Sequence, residues 1–180
     1  MSSLEANKLL DAVDGRTKLA GSNKMELLLF SLGTHETFGI NVFKVREVSP
    51  TPPITMTPNM PTGVEGVISL RGSIIPVISL AYFIKLEDAP KGIGETMIVT
   101  EFSRHTQGFL VQDVDRIIRV DWDKVKPPEN MLAGQDGMIT AITELDDGRL
   151  ISILDVERVL VEVLGEKPMP TLPKIEAGRE

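Results

Sequence analysis

The sequence predicts an all-β protein that is built as two similar small β-barrels. Only 4% of its 180 residues are aromatic, so valine, isoleucine and leucine must form the core, and β-branched residues favour strands. From residue 25 onwards, short apolar runs are separated by turn residues. The pattern of the first half starts again in the second half, which indicates an internal duplication. The composition, 42% hydrophobic and 25% charged, is that of an ordinary globular chain.

Residues 1–24 are polar and rich in small side chains, and we expect them to form a loosely attached N-terminal arm. A few apolar residues suggest one short amphipathic helix within this arm, namely Leu4, Leu9, Leu10 and Val13. Acidic residues interrupt the segment, so it lacks the features of a signal peptide. No stretch of the chain approaches the roughly 18 apolar residues that a membrane span requires, so no direct insertion into a membrane is expected.

Three strands are predicted after the arm, in the segments MELLLFSLG, ETFGINV and KVREVS. Five prolines between Pro50 and Pro61 then exclude a helix and a central strand. The next segment, GVEGVISLRGSIIPVISL, is interpreted as a hairpin with a tight Leu-Arg-Gly-Ser turn, because Gly72 can adopt a positive φ. Arg71 is therefore expected at a turn between two strongly apolar strands.

The second half opens with two further strand candidates, TMIVTEF and TQGFLVQDVDRIIRV, which match segments of the first half. One alignment, which places Gly39 over Gly108, superimposes the apolar positions around these glycines. A second alignment, which places Gly72 over Gly148, does the same with a slightly larger spacing between the matched residues. The proline-rich loop of the first half corresponds to a Lys-Pro-Pro segment at 126–128, and an insertion or deletion in these loops accounts for the difference in spacing.

The two predicted subdomains cover roughly residues 25–90 and 91–164. Each is too short to bury a large core alone, so we expect the halves to pack tightly together. The last helix begins after the N-cap candidate Asp155 and ends before Gly165. Its apolar stripe consists of Val156, Val159, Leu160, Val163 and Leu164. Residues 165–180 contain three prolines and no periodic apolar face, and are expected to form a linker or tail.

Charge and composition exclude several classes of function. The formal net charge of -7 opposes attraction to nucleic acid, so no nucleic-acid partner is expected. The chain has no cysteine, which removes disulfides, thiol nucleophiles and thiolate metal ligands, and is typical of a cytosolic protein. His35 and His105 lie in predicted turns and are interpreted as solvated, so neither a metal site nor a cofactor is expected.

The acidic residues near Asp146 are the basis of an alternative function. They occur in the segments DWDK and ELDDGR, which resemble a sheet edge and a hairpin turn more than a set of convergent carboxylates. No GxSxG motif and no phosphate-binding loop accompany them. The alternative is a small β-barrel hydrolase or a ligand-binding domain that uses these acids, and it predicts a deep polar pocket lined by titratable groups.

Four long segments and the proline loop occur in an order that is typical of one family. They are FSLGTHETFGINVFKVREV, the proline loop, GVEGVISLRGSIIPVISL, MIVTEFSRHTQGFLVQDVDRI and ISILDVERVL. This set, over about residues 25–164, resembles the CheW-like coupling domain of bacterial chemotaxis. The resemblance implies two intertwined five-stranded β-barrels with exchanged strands. It also implies a non-catalytic adaptor that joins the cytoplasmic tips of chemoreceptors to the regulatory domain of the histidine kinase CheA.

The resemblance further implies which residues face the receptor, a methyl-accepting chemotaxis protein. The matching positions are Val45, Glu47, Gly66, Arg71 and Ile117. The helical hairpin of the receptor tip is expected in a groove between the two barrels, with Glu47 close enough to Arg71 to orient its guanidinium group. For Val45 and Ile117, simple core packing is an equal alternative. The implied location is cytoplasmic, in receptor arrays at the inner face of the membrane.

Two segments, MIVTEF and GFLVQDVDRIIRV, are most similar to the CheV type, in which a CheW-like domain precedes a receiver domain. Residues 165–180 would then be the linker to a receiver domain that this chain does not contain. A stand-alone CheW-like protein with an unusual tail is the alternative. Ser69 stands where the family usually has asparagine, and Gln112 where aspartate is common, so the fine specificity for receptors stays open.

Overall fold

The computed structural model of the protein describes residues 2–16, 23–89, 94–128 and 137–165. Ten strands and three helices follow one another along the chain as α1 (Ser3–Arg16), β1 (Lys24–Ser31), β2 (Thr37–Asn41), β3 (Val45–Pro50), β4 (Val64–Leu70), β5 (Ser73–Ser79), α2 (Leu80–Phe83), β6 (Thr96–Phe102), β7 (His105–Val111), β8 (Asp113–Asp121), β9 (Ile139–Glu144), β10 (Leu150–Leu154) and α3 (Val156–Leu164). The predicted tail after Gly165 lies outside the described residues.

The strands form two five-stranded sheets, in the orders β8-β1-β2-β10-β9 and β3-β6-β7-β5-β4. The prediction of an all-β protein with two five-stranded units is confirmed, and these units are sheets that do not close, because in the described chain the end strands of each sheet do not pair. Thr55 forms an isolated bridge to β4 and Lys126 forms one to β9. Both residues belong to proline-containing segments, which cannot continue a ladder because proline lacks the N–H donor.

Each sheet takes strands from both halves of the chain, and the duplication is visible in the pairing. Strands β2 and β10 are parallel, with Gly39 opposite Ile153, and strands β5 and β7 are parallel, with Gly108 opposite Val77. The two glycines are matched by the first alignment, and their partners Val77 and Ile153 are matched by the second. Both alignments of the sequence therefore describe one structural repeat, and strand exchange ties the halves together.

The largest apolar cluster draws on both sheets and on all three helices. Phe30 and Phe109 are completely buried in it, and Phe30 stacks on Phe38 with ring centroids 5.9 Å apart. Helix α3 covers one side with the buried residues Val156 and Val159. The carboxylate of Asp155 accepts a hydrogen bond from the backbone N–H of Glu157, as expected for an N-cap, and Gly165 follows the helix with a φ of 60°.

The N-terminal segment is attached more firmly than the sequence suggested. Helix α1 contacts β3 and β8, which are end strands of different sheets. Ala6 is fully buried and Leu10 is 8% exposed, and both belong to the largest apolar cluster. The arm is thus a docked helix in the part that the structure describes, because its apolar residues find a surface that no local pattern reveals. Within the described residues, no helix is long and apolar enough to cross a membrane.

Candidate functional site

Arg71 lies at the tip of the hairpin formed by β4 and β5, as the sequence predicted. Arg71 and Gly72 both have positive φ, 51° and 82°, as in the two central residues of a type I′ turn. Glycine and asparagine tolerate this region, whereas an arginine there is strained by roughly 1–2 kcal/mol. The side chain is 75% exposed. Since strained residues cluster at functional sites, the choice of arginine here points to a role of its guanidinium group.

Glu47 of β3 pairs with this guanidinium group, with 2.6 Å between Oε2 of Glu47 and Nη2 of Arg71. The side chain of Glu47 is only 11% exposed. Strand β3 and the β4–β5 hairpin are at opposite ends of the five-stranded sheet, so the pair forms because the sheet curls until its ends approach each other. The expected contact between Glu47 and Arg71 is present, and it leaves several donors of the arginine free to face a partner.

Gly66 is buried beneath the proline-rich segment that follows β3. Its φ is 146°, and a Cβ at this position would lie 2.5 Å from the carbonyl oxygen of Thr55 and 2.7 Å from Cγ2 of Ile54. Neither distance is compatible with a side chain, so glycine is required by the close approach of two backbones. The geometry gives Gly66 a clear structural role, which is to let residues 54–55 close over β4.

We expect the substitution Gly66→Ala to lower the melting temperature markedly, because it adds a steric clash to the cost of the positive φ. The matched control is Gly72→Ala, where φ is also positive but nothing lies within 4 Å of the added Cβ. The free energy of unfolding should fall by about 1 kcal/mol in the control and by at least about 2 kcal/mol in Gly66→Ala. Thermal unfolding followed by circular dichroism measures both. Equal losses in the two variants would contradict the role of backbone packing at Gly66.

Val45 and Ile117 are partly buried and pack against the largest apolar cluster. Val45 begins β3, whereas Ile117 lies opposite Leu28 in the other sheet, on β8. Helix α1 contacts both of these strands. The five residues that the sequence singled out therefore fall into three groups: the ion pair of Glu47 and Arg71, the two apolar residues on strands that contact α1, and the buried Gly66.

Three acids of the alternative function, Asp121, Asp146 and Asp147, line an open surface pocket of about 540 Å³ together with basic side chains, which is not the deep pocket that this function predicts. Asp146 is fully exposed and lies 3.9 Å from Nζ of Lys124. Asp147 accepts a hydrogen bond from the backbone N–H of Arg149 within the β9–β10 turn, and this bond holds the pKa of its carboxyl group below the usual value. A general acid needs a raised pKa, so Asp147 is suited to turn formation. The described residues contain no group of three acidic or histidine side chains that could hold a metal ion.

One contact next to these residues was not predicted from the sequence. Asn7 of α1 forms two hydrogen bonds with the backbone of Val48, one from its amide nitrogen and one to its amide oxygen, both 2.7 Å long. The sequence of the helix contains a local signal from which the start of α1 could have been predicted. Ser2 and Glu5 bond to each other reciprocally as a capping box, the S-x-x-E pattern that marks the start of a helix.

Comparisons with known proteins agree with this geometry. The family model of the CheW-like domain matches residues 26–164. The chain belongs to the CheW-like family. The crystal structure of the scaffolding protein TtCheW from Thermoanaerobacter tengcongensis superposes with a TM-score of 0.67 at 28% sequence identity, over 77% of this chain and 88% of that protein. The CheW-like fold therefore accounts for the two sheets and for the strands exchanged between them.

Curated CheW-like relatives include both CheV and CheW proteins. The chemotaxis protein CheV3 of Helicobacter pylori is 36% identical over 68% of this chain and 40% of the relative, and CheV1 of the same organism is 28% identical over 94% and 60%. The chemotaxis protein CheW of Klebsiella aerogenes is 29% identical over 80% of this chain and 87% of the relative. The chain thus spans about half the length of the CheV relatives that it matches.

Proposed function

We propose that this chain is a non-catalytic coupling module of bacterial chemotaxis, which joins the signalling tip of a chemoreceptor to the regulatory domain of the histidine kinase CheA. The observation that carries the proposal is the CheW-like match over residues 26–164, together with the fold shared with a scaffolding protein. A scaffold needs no deep catalytic pocket, which fits the open, ion-paired surface around Asp146. The proposed location is the cytoplasm, in receptor arrays beside the membrane.

The receptor surface that we propose combines a polar anchor with an apolar flank. The anchor is Arg71, whose exposed guanidinium group is held by the nearly buried carboxylate of Glu47. The flank is the partly buried pair Val45 and Ile117, on end strands of different sheets. An amphipathic receptor helix could lay apolar residues on the flank and offer carboxylates or amides to Arg71. Gly66 contributes indirectly, because the absence of a side chain allows residues 54–55 to pack on β4.

For the kinase, the proposed contacts are the tips of the two equivalent hairpins. Ile74 is 77% exposed beside the β4–β5 turn, and Leu150 is 60% exposed beside the β9–β10 turn. These positions correspond when Gly72 is aligned with Gly148. Two exposed apolar residues related by internal symmetry suit a partner of the same fold, which the family resemblance implies for the regulatory domain of CheA.

Co-sedimentation of the purified protein with receptor signalling fragments and CheA tests the proposal. We expect the chain to pellet with the receptor fragments and to recruit the kinase to them. The variant Leu150→Arg should lose the kinase while keeping the receptor, because a charge at the tip of the β9–β10 hairpin opposes an apolar contact and this hairpin carries no proposed receptor residue. Met56→Arg, at an apolar residue that is 84% exposed in the proline-rich segment, is the control and should behave as the parent protein. A parent protein that remains in the supernatant would refute the proposed function.

A further inference from the structure

Helix α1 occupies the cleft between the end strands of the two sheets. It contacts β3 of one sheet and β8 of the other. Its buried residues, Ala6 and Leu10, belong to the same apolar cluster as Val45 and Ile117. The N-terminal helix therefore packs against the two strands that carry the apolar flank of the proposed receptor site, and it does so as a helix, the shape proposed for the receptor segment.

Asn7 fixes the position of α1 along the open edge of β3. Strand β3 is an end strand, so within the described residues no strand neighbours its outer backbone groups. The side-chain amide of Asn7 bonds to both the N–H and the C=O of Val48. This pair of bonds satisfies the backbone as a neighbouring strand would, and it gives the helix one defined docking position.

The described side chains of α1 contribute two buried apolar residues to its contact with the sheets. Among the side chains described for its first eight residues, only Ala6 and Leu10 are buried, whereas Leu4 is 65% and Leu9 is 43% exposed. The helical conformation also has local support, because the capping box of Ser2 and Glu5 does not involve the sheets. Among the described side chains, release of α1 from the sheets therefore costs the burial of Ala6 and Leu10 and the two hydrogen bonds of Asn7.

We propose that α1 is a built-in competitor of the receptor helix, which occupies the strands that carry Val45 and Ile117 until the receptor displaces it. This inference rests on the proposed function, because it assigns regulation to the same receptor surface. The apparent affinity of a site falls in proportion to the fraction of molecules in which the site is open. A helix docked for about nine-tenths of the time would weaken receptor binding about tenfold.

The test measures the affinity of a fluorescently labelled receptor signalling-tip peptide for variants of the full chain. Ala6→Glu places a charge into the buried contact of α1 while keeping a good helix former, and a deletion of residues 2–16 removes the competitor altogether. Both changes should tighten peptide binding by at least about threefold, as expected when a closed site becomes mostly open. Lys8→Ala, on the exposed side of the same helix, is the control and should leave the affinity unchanged.

Three other results for peptide binding and thermal unfolding would overturn the proposal. If the parent protein binds the peptide but both variants bind it equally well or more weakly, α1 is not a competitor. If both variants lose their cooperative thermal transition, α1 is an integral part of the fold, and the proposal is overturned as well. If neither the parent protein nor the variants bind the peptide, the proposed receptor function itself fails, and the inference fails with it.

Discussion

Replacing Arg71 with glutamate should weaken the binding of a receptor signalling fragment by at least about tenfold, or about 1.4 kcal/mol. Truncating an arginine anchor at an interface commonly costs about 2 kcal/mol or more, and the opposite charge adds repulsion if the partner offers carboxylates. The new carboxylate would also face Glu47, whose side chain is only 11% exposed. This repulsion should also lower the stability of the fold, and we expect the melting temperature to fall by a few degrees. Substitution of a fully solvated turn residue would leave the melting temperature unchanged.

Two further variants separate binding from folding at this site. Arg71→Asn keeps a residue that tolerates positive φ but removes the guanidinium group, so it should weaken binding without the repulsion between carboxylates. In the double variant Glu47→Gln/Arg71→Glu the repulsion is relieved, so the melting temperature should recover while binding stays weak. Titration calorimetry measures the affinity, and circular dichroism measures the unfolding.

The matched control for Arg71 lies in the equivalent hairpin of the second half. Arg149 is 48% exposed and pairs with Asp147 at 2.9 Å, so Arg149→Glu also reverses the charge of an ion-paired turn arginine. We expect this control to bind the receptor fragment as the parent protein does. If Arg71→Glu and Arg71→Asn also bind at full strength, Arg71 is a solvated turn residue and is not part of the receptor site.

The first half of the chain, residues 1–90, should not fold when it is produced alone. In the intact protein β1 and β2 are flanked by β8 and β10, and β3 pairs with β6 of the other half. The isolated fragment would retain only two-stranded hairpins and a single unpaired strand, and such hairpins are marginally stable in water. Circular dichroism of the fragment should therefore show no cooperative thermal transition, as expected for a chain that has lost its native structure completely.

Mixing this fragment with residues 91–180 provides the control for the fragment experiment. The two chains together contain every strand of both sheets, so an equimolar mixture should regain β-structure and a cooperative transition. The concentration dependence of the melting temperature would then identify a complex of two fragments. A monomeric fragment of residues 1–90 with its own cooperative transition would show that strand exchange is not needed for folding.

The repeat is the feature that the sequence predicted best. The two alignments of the halves reappear in the structure as the pairs of Gly39 with Ile153 and of Gly108 with Val77. This agreement has a physical basis, because corresponding apolar positions must face corresponding parts of the core. The end of α3 was predictable for a similar reason, since the Asp155 cap and the Gly165 stop are local signals.

The docking of α1 could not be predicted in the same way. Its capping box shows where a helix begins, but the surface that receives Ala6 and Leu10 exists only after β3 and β8 have joined different sheets. The partner of Asn7 is the backbone of Val48, far along the chain, and a backbone group leaves no pattern in the sequence. Whether each sheet closes into a barrel could not be predicted either, because strand patterns do not reveal which edges are bridged by proline-containing segments.

The sequence by itself determined the all-β class, the internal duplication, the capped C-terminal helix and the turn position of Arg71, because each depends on neighbouring residues or on a repeated period. Tertiary structure alone decided the contact between Glu47 and Arg71 and the position of α1. The contact forms because one sheet curls until its end strand β3 approaches the β4–β5 hairpin. The helix finds its place because strand exchange sets the end strands β3 and β8 of the two sheets beside it. Both arrangements depend on residues far apart in the chain, whose proximity is fixed only when the whole fold has formed.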